Sequence, residues 1–265
     1  KSRFELDGLP YALLTSQGEN HMHCGPDCFD KRRWRIIKQN DGEALLSLDS
    51  PDGDQGYPGN CAATVHYRLT DDNRIAIEYR ATVDKPCPVN LTNHAYFNLD
   101  GDCSDVRNHR LQLLAQAYLP VDEMGIPHEG LKAVAGTSFD FRTTKAIAQD
   151  FLADDDQRKV NGYDHAFLLD AEGDVSQPAA HLWSADEKLQ MTVYTTAPAL
   201  QFYSGNFLEG TPAREDGEYR AWQGLALESE FLPDSPNHAE WPQPDCILRP
   251  GEEYVSVTEY HFIAQ

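Results

Sequence analysis

The chain is short of positive charge. Its 265 residues include 22 Lys and Arg against 43 Asp and Glu, a net charge of −21. So acidic a surface repels phosphate backbones and anionic lipid, which argues against nucleic acid or membrane as a partner and suits a neutral ligand. Long apolar runs are missing too, since none approaches the roughly 18 residues of a membrane span. No signal peptide is visible. The G-x-S-x-G, P-loop and dinucleotide fingerprints are absent, which disfavours the common hydrolase, kinase and dehydrogenase classes. Cysteine is sparse and irregularly spaced: Cys24, Cys28, Cys61, Cys87, Cys103 and Cys246. A disulfide framework is usually denser and found in a shorter chain, so the expectation is free thiols in a reducing cytoplasm.

Helical periodicity is scarce as well. Only part of the stretch 143–160 reads as helix. Strand signals dominate. The segments 63–70 and 74–83 alternate in polarity and flank a turn, as do 181–184 and 189–195. Further strands are expected over 110–119, 166–170, 200–204, 225–231 and 254–263, punctuated by 18 Gly and 16 Pro. Many strands, short turns and few helices imply an all-β sandwich or barrel. No linker or repeat divides the chain, so it reads as one domain over residues 1–265.

The segment "NLTNHAYFNLDG", from Asn90 to Gly101, alternates like a half-buried strand. Residues two apart share a strand face. Leu91, Ala95, Phe97 and Leu99 would then anchor in a core, leaving Thr92, His94, Tyr96 and Asn98 on the opposite face. That face has no charged residue and mixes His and Tyr with amide and hydroxyl groups, as a sugar site requires. A hydrogen-bonded polar ladder would look the same. In "LALESEF", Ala226, Glu228 and Glu230 share one face, and a Pro-rich loop follows; a surface glutamate is the plainer alternative. In "ALQFYSGNF", Gln201 and Tyr203 share a face, and Gln201 either reads a hydroxyl or is solvated. In "NGYDHAFLLD", Asp164 and His165 are neighbours, so on a strand they face opposite ways and cannot act as a dyad. Asp164 could still accept from two sugar hydroxyls, or merely cap a turn. "HMHCGPDC" invites a metal reading through His21, His23, Cys24 and Cys28, but its spacing matches no standard zinc module. A loop that places His23 over a ligand is the preferred reading.

Taken together, "NLTNHAYFNLDG", "HCGPDCFDKRRW", "NGYDHAF", "ALQFYSGNF" and "LALESEFLPDSPN" resemble the aldose 1-epimerase family, most closely its enterobacterial members. The motifs occur in the family's order along the whole chain. The resemblance implies a large β-sandwich of the galactose mutarotase type, a supersandwich with the sugar in an open groove. It implies His94 as general acid and Glu228 as general base, with His23, Tyr96, Asp164 and Gln201 binding substrate. It also implies a monomer acting on a small aldose such as galactose or glucose, with neither metal nor organic cofactor. Two departures stand out. Cys24 occupies a position where the family usually has Gly. The chain also starts, at Lys1, just after the point where the family's N-terminal strands end, so an N-terminally truncated sandwich is expected.

Interconverting α and β anomers requires a proton taken from O1 and one delivered to O5, oxygens that flank the same carbon. A Glu carboxylate and a His imidazolium suit those roles if burial raises Glu228 and nearby carboxylates keep His94 protonated. A glycosidase pairing Glu228 with Asp164, a sugar-binding module without catalysis and a hexose-phosphate epimerase are the competing readings. The last should need a basic phosphate cluster, and none stands out near these motifs.

Overall fold

A computed structural model describes residues 1–101 and 104–265. Strands carry nearly all of its regular structure, and the α-helix Asp155–Lys159 is a single short turn of chain. The helical signal in 143–160 thus resolves into that helix and a 3-10 turn at Ile147–Asp150. The Asp154 side chain caps the helix by accepting from the Gln157 amide at 3.1 Å, and Asp155 and Asp156 favour its positive N-terminal end.

The chain forms two compact units. The first comprises residues 1–71, 75–91 and 234–257. Its main sheet is antiparallel, in the order Arg35–Asn40, Glu43–Ser50, Cys61–Leu69, Arg74–Val83. The hairpin expected between the last two forms with Leu69 opposite Ile75 and Cys61 opposite Val83. Ala63, Ala81, Val83, Cys87, Val89 and Leu248 form a buried cluster, against which Phe29, Trp34, Tyr57 and Leu91 pack. Each large side chain wholly withdrawn from water contributes about 1.5–3 kcal/mol.

This unit contains the His21–Phe29 loop. His21 is fixed on both ring nitrogens, by the Leu14 carbonyl at 2.7 Å and the Tyr57 hydroxyl at 2.9 Å. His23 follows with φ of 57°. Cys24 and Cys28 are joined by a disulfide, which corrects the expectation of free thiols at these two positions and leaves neither as a metal ligand. Gly25 has φ of +88°, and a Cβ there would meet Gln55 Oε1 at 2.8 Å, so the bridged loop needs glycine at its apex. Cys61, Cys87 and Cys246 are free thiols, while Cys103 lies outside the described residues.

The second unit comprises residues 72–74, 92–233 and 258–265. Within it two sheets face each other. One runs in the order Lys132–Ala133, Ala115–Tyr118, Asp164–Leu169, Ala199–Tyr203, Leu225–Glu230, Tyr96–Phe97. The other runs Lys145–Ala146, Arg110–Leu113, Pro178–Trp183, Leu189–Thr195 and then the 258–264 part of the last strand. Leu111, Leu182, Met191 and Val193 from one sheet and Phe167, Phe202, Leu225 and Leu227 from the other are buried. The Tyr260 hydroxyl crosses between the layers and donates to the Leu227 carbonyl at 3.2 Å, while its ring meets Phe97 at 4.9 Å. This is the sandwich the strand pattern predicts.

Two strand expectations need correction. The single strand over 110–119 is two, Arg110–Leu113 and Ala115–Tyr118, one in each sheet. Leu114 is the corner: its amide donates to Ala179 and its carbonyl accepts from Asp170. The strand expected through "NLTNHAYFNLDG" shrinks to Tyr96–Phe97. Asn93 Oδ1 accepts from the Ala95 amide at 3.1 Å, a local bond that competes with a sheet ladder. Asn98 is likewise structural, its amide donating to the Ser104 and Gln223 carbonyls. Leu91, Ala95, Phe97 and Leu99 are only partly buried rather than core.

Candidate active site

The site is built on one face of the first sheet of the second unit. Gln201 lies opposite Glu228, Ala199 opposite Glu230 and Tyr203 opposite Ala226. On the other side of the Ala199–Tyr203 strand, Tyr203 lies opposite Asp164 and Gln201 opposite Ala166. Tyr96 lies opposite Ala226. Directly paired residues point to the same side, so Tyr96, Tyr203, Asp164, Gln201, Glu228 and Glu230 share a face. The intervening residues Leu200, Phe202, Leu225, Leu227 and Ser229 face the core and are buried. His165 also points inward, with its ring edge-on to the stacked Tyr118 and Phe139 rings and its Nδ1 accepting from the Asp164 amide. Burial holds it neutral by pushing its pKa down to about 3.

His94 precedes the Tyr96–Phe97 strand. Its Nε2 lies 3.5 Å from Glu228 Oε1. The imidazole stacks on Tyr96 at 5.0 Å and meets the edge of Tyr203 at 6.4 Å. The two tyrosine rings are themselves 6.1 Å apart, and the Tyr203 hydroxyl is held by the Phe207 amide at 2.8 Å. The aromatic walls thus fix the imidazole beside the carboxylate.

The electrostatics follow from burial. Glu228 is 7% exposed, and loss of water pushes its pKa far above the usual carboxylate range. The charges of Glu230 and then Asp164 push it further in the same direction. Asp164 is raised to about 6 by burial, against the opposing hydrogen bond from Gln201 Nε2 at 2.7 Å. Among the described residues no lysine or arginine pairs with Asp164, Glu228 or Glu230. Gln201 Oε1 is buried and has no partner among the described residues, which leaves a carbonyl acceptor beside the carboxylates.

Of the six residues singled out from sequence, His94, Tyr96, Asp164, Gln201 and Glu228 all lie in this unit. His23 belongs to the other unit, on the bridged loop described above. Tyr203 and Glu230 were not singled out as site residues. The signal for both was the two-residue spacing, from Gln201 and from Glu228.

The family model for aldose 1-epimerase matches residues 1–261. The chain belongs to the aldose 1-epimerase family. The aldose 1-epimerase of Escherichia coli K12 is 73% identical over 264 residues, covering 100% of this chain and 76% of the relative. The galactose mutarotase of Rattus norvegicus is 39% identical, covering 99% of this chain and 75% of the relative. Among solved structures, a galactose 1-epimerase from Lactobacillus acidophilus superposes with a TM-score of 0.83 at 33% identity, over 99% of this chain and 76% of that one. A GalM/aldose epimerase homologue from C. elegans gives a TM-score of 0.90 at 28% identity, over 99% and 78%. As an aldose 1-epimerase the chain is an isomerase that interconverts sugar anomers.

Proposed function

We propose that the chain acts on galactose and glucose, with Glu228 as general base and His94 as general acid. The observation that carries this reading is the buried Glu228 carboxylate 3.5 Å from the His94 imidazole. Ring opening begins when Glu228 takes the O1 proton. The C1–O1 double bond forms, the C1–O5 bond breaks, and O5 takes a proton from the His94 imidazolium. Rotation about C1–C2 presents the other face of the aldehyde. Closure runs in reverse: neutral His94 recovers its proton from O5–H as O5 attacks C1, and Glu228 returns a proton to O1. Atoms and charges balance over the cycle, and no electrons leave the sugar.

Asp164, Gln201 and Tyr96 bind sugar hydroxyls in this reading, and His23 contributes from its loop. The pairing of amide and carboxylate groups supports a neutral polyol, since a carboxylate accepts and an amide does both. A hexose phosphate would bring a dianion against Asp164, Glu228 and Glu230, which disfavours that substrate. We also take the chain to act as a single-domain monomer in the cytoplasm. The family match across residues 1–261 supports the single domain.

The test is polarimetry on freshly dissolved α-galactose. Glu228→Gln and His94→Asn should each lower kcat by about 10²–10⁴-fold while galactose still binds. A near-normal rate in either variant would remove that residue from the chemistry.

A further inference from the structure

Glu230 has no part in the acid–base cycle above, yet its position is specific. It stands two residues beyond Glu228 on the same strand and therefore on the same face. Two steps along a strand separate such neighbours by about 6.6 Å. Across the strand pair Glu230 meets Ala199, which offers neither a hydrogen bond nor a counter-charge. The next titratable group on that face is Asp164, whose carboxylate is already engaged by Gln201.

A partly buried carboxylate without a cation is costly to keep, and glutamine of nearly the same shape would avoid the cost. Titratable groups held in unfavourable surroundings beside reacting groups are a mark of function. The groups near Glu230 that carry charge are Glu228 on its own strand and Asp164, and beside Glu228 stands His94. The Glu230 and Asp164 carboxylates favour a proton on the general base, and a protonated His94 opposes them.

We propose that Glu230 is a positioning residue for the isomerase: its negative charge strengthens Glu228 as a base during ring opening. The inference rests on the role assigned to Glu228 above. Without a like charge beside it, Glu228 would hold the O1 proton less firmly, and O1 would be deprotonated less readily. Of the two charges that bear on Glu228, that of Glu230 is the larger.

The experiment compares the pH dependence of kcat/KM for α-galactose in the unaltered chain, Glu230→Gln and Glu230→Asp. Glu230→Gln should move the acid limb, where activity falls as Glu228 gains its proton, down by about one pH unit, the size expected of a like charge at this spacing. It should also lower the plateau several-fold without loss of folding. Glu230→Asp keeps the charge and should return the limb most of the way. An unmoved limb in Glu230→Gln, or an Asp variant that behaves like the Gln variant, overturns the proposal. The role of Glu228 is tested separately: a chain whose plateau rate survives Glu228→Gln has a different base altogether.

Discussion

Gln201 donates to Asp164 through Nε2 at 2.7 Å, and this contact fixes which end of its amide remains. The remaining end is the buried Oε1 carbonyl, on the face that carries Glu228. In the proposed reading one side chain both braces a carboxylate and presents an acceptor to a sugar hydroxyl. Gln201→Leu should raise KM for galactose about tenfold or more, with a smaller change in kcat, because a binding contact rather than the acid–base pair is lost. Initial rates by polarimetry over a range of galactose concentrations read this directly. A KM within twofold of the unaltered chain would show that the amide does not bind substrate.

The acidic face should cost the fold stability at neutral pH. Asp164, Glu228 and Glu230 all have pKa values raised by burial in the folded state. A raised pKa means that the folded chain binds protons more tightly than the unfolded one. The contribution of these groups is then fully present below their unfolded values, about 3.9 for Asp and 4.3 for Glu. It is lost as pH rises, through about 6 for Asp164 and higher for the two glutamates. Glu228→Gln should therefore melt at a higher temperature than the unaltered chain at pH 8, with the gap closing toward pH 4. Thermal melts across that range would test the sign; a variant less stable at pH 8 than at pH 4, relative to the unaltered chain, contradicts it.

The thiols should separate into two chemical classes. Burial pushes Cys61 up to about 11 and Cys87 and Cys246 up to about 12, so their nucleophilic thiolates are scarce at pH 8. Cys24 and Cys28 are bridged. Iodoacetamide on the folded, unreduced chain should leave all five unmodified. Denaturation alone should expose Cys61, Cys87 and Cys246, and reduction should be needed before Cys24 and Cys28 react. Peptide mass spectrometry would assign each site, and labelling of Cys24 without reductant would show that the bridge is absent in solution.

Much of the sandwich was legible because alternation and turn residues report strands locally. The hairpin of Cys61–Leu69 with Arg74–Val83 is such a case, and so is Pro178–Trp183 with Leu189–Thr195. Alternation also set Glu228 with Glu230 and Gln201 with Tyr203. It could not supply register. Whether Gln201 meets Glu228 depends on the long excursion between their strands, and only the folded chain fixes that pairing. The same rule failed in "NLTNHAYFNLDG", where the Asn93 side chain satisfies a backbone amide and ends the ladder before it starts. The disulfide was missed for a different reason. A bridge depends on how two Cβ atoms are aimed, here by a left-handed Gly25 between them, and spacing in sequence does not record that aim.

The Leu225–Glu230 strand has core on one side and the proposed chemistry on the other. Its evolution is therefore partitioned at single-residue resolution. On the proposed roles, drift at Leu225, Leu227 and Ser229 should be answered by loss of the fold, whereas drift at Glu228 and Glu230 should yield an intact protein with altered turnover. New specificity can arise in this segment only at every second codon, and a one-residue insertion would exchange the two roles at once.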